Sequence, residues 1–150
     1  MTEEQVTKAL LHWLEEHGWE ILCFDFPQSG TGVCLQPDEP VPGSKNRAMI
    51  IPDIVAWKAG AVVFFENKSR FSLADLVKVH SLRTANRYIR GIQALLNGYQ
   101  VCDIHYGIGL FRSAKDLAKA MENRQMADFI LSVETDREVH KDYDPKGLFR

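Results

Sequence analysis

The sequence predicts an α/β fold, in which a mixed sheet is flanked by helices within a single domain over residues 1–150. Segments with the spacing of amphipathic helices alternate with short runs rich in β-branched and aromatic residues. Two of these runs are joined by Lys58-Ala59-Gly60, which is typical of a β-hairpin turn. The sequence contains no internal repeat and no low-complexity linker, so nothing divides it into two domains.

The chain begins with a predicted helix and a predicted strand. Thr2 and Gln5 have the spacing of a capping box, which places the start of the helix at about Glu3. Apolar residues then follow at helical spacing as far as Gly18, where the helix should end. The run 19–26 is rich in apolar and aromatic residues and is predicted to be a strand.

The hairpin provides the next two predicted strands, over 49–57 and 61–68. The remaining predicted elements are helices over 73–82, opened by a capping signal at Ser72, and over 84–96, a strand over 101–111, a helix after Ser113 to about 123, and a last strand over 129–133. Beyond that strand lies a run of mixed charge, which we expect to be solvated surface.

The composition is that of a globular protein, with 45% hydrophobic and 25% charged residues and a net charge of −2. No apolar run approaches the length of a membrane span, and the N-terminus lacks the basic and apolar regions of a secretory signal. We therefore expect a cytoplasmic protein. The three cysteines, Cys23, Cys34 and Cys102, lack the paired spacing of a zinc site and are expected to be free thiols.

Two carboxylates and a lysine lie on the two strands of the hairpin. Glu66 and Lys68 directly follow an apolar run and should point to the same face, because side chains alternate along a strand. Asp53 lies in the partner strand, so its carboxylate can approach that of Glu66. Two adjacent carboxylates repel each other unless a cation lies between them. A pair of this kind suits Mg²⁺, which prefers oxygen ligands from one or two carboxylates.

These residues resemble the motif of the PD-(D/E)xK nuclease superfamily, whose fold is shared by many restriction endonucleases. Pro52-Asp53, twelve intervening residues and Glu66-Asn67-Lys68 match the motif in order, in spacing and in their position on adjacent strands. The resemblance extends from the first helix to the strand that begins near Val101. It implies a restriction-endonuclease-like core.

The resemblance also implies roles for the motif residues. Asp53, Glu66 and the main-chain carbonyl of Asn67 would hold Mg²⁺, for which Mn²⁺ could substitute. Lys68 would orient or activate the attacking water. A metal ion polarises the scissile phosphate and lowers the pKa of its bound water, while a nearby cation stabilises the developing charge.

Many members of the superfamily add a glutamate from the first helix to the catalytic group. Glu3 extends the apolar stripe of the predicted helix, whereas Glu4 points away from it, so Glu3 is the expected contributor. The alternative is that both acids are placed in the first turn because they interact favourably with the helix dipole.

Positive charge is concentrated after the motif, where six lysines and arginines over 68–90 accompany one acid, Asp75. Arginines on one side of the predicted 84–96 helix could follow a phosphate backbone, although a solvated helix face would have the same pattern. The segment 27–46 is rich in turn residues and is predicted to be an irregular loop. Hydroxyl groups in its glycine-rich part, 28–32, could also contact DNA, although residues 28–32 could instead form a simple turn. The predicted DNA-binding residues are Arg70, Lys78, Arg83, Arg87, Arg90, Ser29 and Thr31.

The resemblance implies a Mg²⁺-dependent endonuclease acting on DNA, most like a small type II restriction enzyme. We expect a homodimer, because a chain of 150 residues has little room for a separate recognition domain. A restriction enzyme could also have a cognate methyltransferase as partner.

Two alternatives remain open. One is a structure-specific nuclease of the Holliday-junction resolvase, homing or repair type, although a net charge of −2 counts against a sequence-blind DNA binder. The other is a non-catalytic nucleic-acid-binding module of the same fold, against which the presence of all three motif residues counts.

Overall fold

A computed structural model of the chain describes residues 1–26, 29–30, 32–33, 35–39 and 49–150. The elements are α1 (Glu3–Glu16), β1 (Glu20–Phe26), β2 (Ser29–Gly30), β3 (Ile54–Lys58), β4 (Ala61–Lys68), α2 (Leu73–Ala85), α3 (Ile89–Leu95), β5 (Asp103–Phe111), α4 (Ala114–Glu122), a 3₁₀ turn (Arg124–Met126), β6 (Phe129–Thr135) and β7 (Glu138–Tyr143). Among the described residues, no helix has both the length and the apolar character needed to cross a membrane.

The strands form one mixed sheet in the order β2-β1-β3-β4-β5-β6-β7, in which β2 has only two residues. The pairs β4–β5 and β5–β6 are parallel, and all the others are antiparallel. Helix α1 packs on one face of the sheet, and α2, α3 and α4 pack on the other. The predicted α/β architecture, a mixed sheet flanked by helices, is therefore confirmed.

Strand β4 is the central element of the hydrophobic core. Its apolar residues alternate between the two faces: Val62 and Phe64 pack on the side of α2, and Val63 and Phe65 pack on the side of α1. All four are at most 2% exposed. A strand that is covered by helices on both faces carries a continuous apolar run, which explains why Glu66 and Lys68 stand out at its end.

The local signals at both ends of α1 and in the hairpin are confirmed. The Thr2 hydroxyl accepts from the Gln5 N–H, and the Gln5 side chain accepts from the Thr2 N–H, as a capping box requires. The hairpin turns at Ala59 and Gly60, both with positive φ, and this backbone matches the twist of the two strands. The Ser113 hydroxyl likewise caps α4.

The helix predicted over 84–96 is confirmed only from Ile89 onward, and its predicted start near residue 84 is wrong. Helix α2 continues to Ala85, and the chain then turns at Asn86, whose φ of 50° and ψ of 36° lie in the left-handed region. Helix α3 begins only at Ile89. Asparagine adopts this region more readily than most residues, so it can end a helix that the apolar pattern alone would continue. The arginines of this segment therefore do not share one helix face.

The prediction that the mixed-charge run beyond residue 133 is solvated surface is confirmed, because its charged residues are exposed, but the strand that begins within this run was not predicted. Glu138–Tyr143 form β7, which pairs antiparallel with β6. This strand lies at the edge of the sheet, where charged side chains are common because they discourage pairing with another chain.

Smaller differences concern one cap and two strand starts. Ser72 precedes α2 but makes no side-chain capping hydrogen bond. Strands β3 and β5 start a few residues later than predicted, at Ile54 and Asp103.

The structure describes two of the three cysteines. Cys23 is buried and Cys102 is exposed, and both are free thiols, as predicted. Burial raises the pKa of the Cys23 thiol to about 11, so this thiol is not reactive. Cys34 lies outside the described residues.

Phe149 completes the core on the α1 side of the sheet. It is 2% exposed, and its ring centroid lies 5.0 Å from that of Phe129 and 5.5 Å from that of Trp19. The segment that carries it is held by the Asp144 carboxylate, which accepts from the main-chain N–H groups of Leu148 and Phe149 at 2.8 and 3.0 Å. Residues 144–149 are thus part of the folded domain.

Replacing Phe149 by alanine should lower the free energy of unfolding by about 3–5 kcal/mol, because it leaves a cavity among buried aromatic rings. Leu148→Ala, at the half-buried neighbouring position, should cost only about 1–2 kcal/mol. Urea unfolding followed by tryptophan fluorescence measures both. Equal losses for the two variants would contradict the placement of Phe149 in the core.

Candidate functional site

Asp53 lies at one end of the sheet, one residue before β3 begins. Its main-chain N–H donates to the Phe65 carbonyl at 3.0 Å, and its own carbonyl accepts from the Asp25 N–H at 2.9 Å. The backbone of Asp53 is thus bonded both to β4 and to β1. The residue is 8% exposed, so its carboxylate is largely removed from water.

Glu66 and Lys68 lie at the end of β4, beside Asp53. They point to the α2 side of the sheet, because they share the strand alternation of Phe64. The Glu66 side chain is 11% exposed and that of Lys68 is 36% exposed. A small recess at this strand end is lined by both side chains together with Arg70 and Asp75.

Asn67 joins the two parts of the motif. Its main-chain N–H donates to Oδ2 of Asp53 at 2.7 Å, and this hydrogen bond is buried. A short, buried bond to a carboxylate fixes the orientation of that carboxylate. The Asp53 side chain is therefore held beside the segment that carries Glu66 and Lys68.

The Asp53 carboxyl has a strongly perturbed pKa. Burial, and after it the nearby charge of Glu66, raise the pKa from 3.8 to about 7. The hydrogen bond from Asn67 and the charge of Lys68 act in the opposite direction but are outweighed, and the charge of Glu3 adds to the increase. Such a group is found where function requires a carboxylate out of water and close to another one.

Glu66 forms an ion pair with α2. The Lys78 ammonium donates to Oε1 of Glu66 at 3.2 Å. Burial raises the pKa of Glu66, and the charge and hydrogen bond of Lys78 only partly offset that increase. Lys78, which the sequence predicts as a DNA contact, therefore pairs with a site carboxylate in the structure.

The first helix contributes Glu3 to this end of the sheet. The Lys68 ammonium lies 3.4 Å from Oε2 of Glu3. Glu4 instead lies 3.6 Å from Lys8 on the same helix and makes no contact with Lys68. The helical phase that favoured Glu3 over Glu4 thus matches their positions.

Lys68 is held in its charged form by the surrounding carboxylates. Burial acts to lower its pKa, but the charges of Asp75, Glu3 and Glu66 outweigh this effect and raise the pKa above its ordinary value. Asp75 lies in the first turn of α2 and was not predicted as a site residue. The available signal was its position as the one acid in a basic stretch directly after the motif.

The remaining predicted DNA-binding residues are spread over the molecule. Arg70 is exposed at the recess. Arg83 lies 3.8 Å from Asp128 and donates to the Gln125 carbonyl at 3.2 Å. Arg87 and Arg90 are exposed, on the connection to α3 and in α3.

The arginines near the end of α2 are distant from the motif. Helix α2 begins beside the motif, and its 13 residues span about 20 Å, so most of the helix length separates Arg83, in its last turn, from its first turn. The expectation that Arg83, Arg87 and Arg90 form a stripe next to the motif is therefore corrected. Ser29 lies in β2, with a side chain that is not described, and Thr31 lies outside the described residues.

The donor groups at the motif fit a hard divalent cation. Burial raises the cost of ionising both Asp53 and Glu66, and the charge of Glu66 adds to that cost at Asp53. A bound cation would reduce the cost. Mg²⁺ is typically bound by one or two carboxylates, with water and phosphate oxygens completing its coordination. The chemistry of the residues is therefore compatible with the ion that the sequence predicts.

A second acidic group lies on β6 and β7. In the described part of the chain, Glu134, Glu138 and His140 are the one trio of His, Cys, Asp or Glu whose ligand atoms lie within 4.8 Å of one another. Nε2 of His140 lies 2.6 Å from Glu134 and 3.5 Å from Glu138, so the three side chains interact among themselves. They are largely exposed, and we assign them no role.

Metal-free protein should lose stability as the pH rises from about 4 to about 7, because in this range folded Asp53 keeps a proton that the unfolded chain has released. The contribution of Asp53 to the free energy of unfolding is complete below the pKa that this carboxyl has in the unfolded chain. It is lost as the pH rises through the higher pKa that the carboxyl has in the folded protein. Asp53→Asn removes this titration. The melting temperature of the variant minus that of the unmodified protein should be larger at pH 8 than at pH 5 by about 5 °C or more. Both proteins are measured with a chelator present.

The control for this experiment is Asp136→Asn, in the exposed turn between β6 and β7. Its melting temperature should follow that of the unmodified protein at each pH. If both variants followed the unmodified protein, Asp53 would ionise normally in the folded state.

Comparison with known proteins assigns no family to the chain. No protein-family model, curated protein or solved structure matches it. The chemistry of this end of the sheet is therefore inferred from its own residues: the buried carboxylate of Asp53, the largely buried carboxylate of Glu66, and the ion pair between Lys68 and Glu3.

Proposed function

We propose that this protein is a Mg²⁺-dependent endodeoxyribonuclease of the PD-(D/E)xK superfamily, most like a small type II restriction enzyme. The observation that carries the proposal is the position of two carboxylates, the buried Asp53 and the largely buried Glu66, near the Lys68 ammonium at one end of the sheet. The arrangement of a first helix, an antiparallel hairpin and a parallel following strand supports a restriction-endonuclease-like core.

Asp53, Glu66 and the main-chain carbonyl of Asn67 would hold the metal ion. When bound, Mg²⁺ or Mn²⁺ supplies a Lewis acid that polarises the scissile phosphate and lowers the pKa of a bound water. Asp53 must release its proton to act as a ligand, and its pKa of about 7 leaves it poised to do so near neutral pH. Glu66 already faces one cation, since Lys78 donates to it at 3.2 Å.

Lys68 supplies fixed positive charge. The surrounding carboxylates raise its pKa, which favours the protonated form at neutral pH. Its N–H groups can orient the attacking water or a phosphate oxygen, and its charge stabilises the negative charge that develops during cleavage. Glu3 keeps the ammonium in position through the contact at 3.4 Å.

DNA would approach the recess at the end of β4. Arg70 is exposed there and is the best placed of the predicted phosphate contacts. The net charge of −2 gives little general attraction for DNA, which favours an enzyme that uses a few specific contacts. A homodimer would present one active site to each strand of the duplex.

Each of the substitutions Asp53→Ala, Glu66→Ala and Lys68→Ala should lower the rate of Mg²⁺-dependent plasmid cleavage by at least about 100-fold. Each substitution removes either a metal ligand or the fixed positive charge. Purified full-length protein is incubated with supercoiled plasmid and Mg²⁺, and products are separated on agarose gels. Lys115→Ala, on the exposed surface of α4, is the control and should cleave normally. A Glu66→Ala protein with the normal rate would end the proposal.

The pattern of products separates the related functions. Discrete fragments support a sequence-specific restriction enzyme. Cleavage confined to branched substrates would indicate a structure-specific nuclease, and DNA binding without cleavage in Mg²⁺ or Mn²⁺ would indicate a non-catalytic module.

Glu3→Gln should slow cleavage by about tenfold or more, because it removes the charge that holds Lys68 but keeps the size of the side chain. Glu4→Gln is the matched control, since it loses only an exposed pair with Lys8 on the same helix turn. Initial rates are compared at saturating Mg²⁺. Equal rates for both variants would show that α1 contributes no group to catalysis.

A further inference from the structure

A buried polar contact connects α1 to the end of β4. The Asn67 side-chain amide donates to the Thr7 hydroxyl at 3.2 Å, and the two residues are 0% and 1% exposed. Both lie between α1 and the sheet, in surroundings that are otherwise apolar. A buried hydrogen bond in such surroundings is costly to break, because the separated groups have no water to bond to.

The same residue, Asn67, also holds Asp53 through its main-chain N–H at 2.7 Å. Asn67 therefore contacts the hairpin with its backbone and α1 with its side chain. The two residues that flank it, Glu66 and Lys68, point to the opposite face of the sheet. No other residue in the described part of the chain combines these two bonds.

The fit between α1 and the sheet is close at this point. Gly109 lies opposite Asn67 on β5, and a Cβ added there would lie 2.5 Å from Oδ1 of Asn67 and 2.4 Å from Cδ1 of Leu10. Such distances are far below normal van der Waals contact. Because Gly109 has no side chain, α1 can approach the sheet closely at this point. The Asn67 amide and Leu10 of α1 fill the space above Gly109.

Thr7 and Glu3 are four residues apart on α1 and therefore lie on the same side of the helix, one turn apart. Whatever fixes Thr7 against the sheet also fixes the height at which Glu3 projects. Glu3 meets Lys68 at 3.4 Å, a contact that a shift of the helix by about half a turn would break.

We infer that Thr7 is a positioning residue of this site, whose hydrogen bond to Asn67 sets α1 at the height where Glu3 meets Lys68. This inference rests on the proposed function, in which Glu3 and Lys68 take part in cleavage. Thr7 touches neither the metal ligands' carboxylates nor the lysine, and it acts through Asn67 and the helix.

The test compares Thr7→Val with Thr7→Ser in the full chain. Valine has nearly the same shape but lacks the hydroxyl, whereas serine keeps it. Thr7→Val should slow Mg²⁺-dependent cleavage by about fivefold, and Thr7→Ser by less than about twofold. In a Glu3→Gln background, Thr7→Val should slow cleavage by less than about twofold further, because the group that it positions is already lost.

The control for reduced stability is Ile130→Val, a buried position on the other face of the sheet. It should lower the melting temperature without changing the cleavage rate. If Ile130→Val slowed cleavage as much as Thr7→Val, or if Thr7→Val had the same effect with and without Glu3→Gln, the positioning role would be overturned.

Amide hydrogen exchange of the metal-free protein gives a readout that does not need activity. Thr7→Val should speed exchange at residues 5–8 of α1 by about tenfold or more, with little change in β5, while Thr7→Ser exchanges like the unmodified protein. Unchanged exchange in Thr7→Val would overturn the inference. If the unmodified protein did not cleave DNA but this difference in exchange were observed, the proposed function would fail and the positioning of α1 by Thr7 would stand.

Discussion

The hydrogen bond from the Asn67 N–H to the Asp53 carboxylate is the interaction on which the candidate site depends. Asp53 precedes β3, so strand pairing fixes its backbone but not the direction of its side chain. The 2.7 Å bond supplies that direction and partly offsets the cost of keeping the carboxyl out of water. The distance between the two parts of the motif is thereby set by the hairpin itself.

Charge in the site is balanced by pairs that come from different elements. Glu66 is paired with Lys78 of α2, and Lys68 is paired with Glu3 of α1, while Asp53 has a backbone donor in place of a cation. Desolvated carboxylates are costly unless they are compensated. The helices on the two faces of the sheet thus each contribute one charged partner, and the carboxyl without an ionic partner is the one whose pKa changes most.

The sequence predicted the features that depend on local patterns. Capping at Thr2, the hairpin turn and the shared face of Glu66 and Lys68 all follow from residues close together in the chain. The pairing of Lys78 with Glu66 depends on how α2 lies over β4, which no local pattern contains. The turn at Asn86 interrupts an apolar spacing that would equally fit a continuous helix, and β7 escaped prediction because an edge strand carries the charges of a surface segment.

The contacts of the site differ in the number of residues that separate their two partners along the chain. The Asn67–Asp53 bond spans 14 residues and can form together with the hairpin. The Lys68–Glu3 contact spans 65 residues and the Asn67–Thr7 contact spans 60, so both require α1 to be docked on the sheet, and closing these longer loops costs more chain entropy. We therefore expect the carboxylates of the hairpin to come together before the N-terminal helix docks. In a partly folded chain of this kind, Asp53 and Glu66 would lie together, but Glu3 would not yet contact Lys68. The complete group of charges would then form only in the fully folded protein.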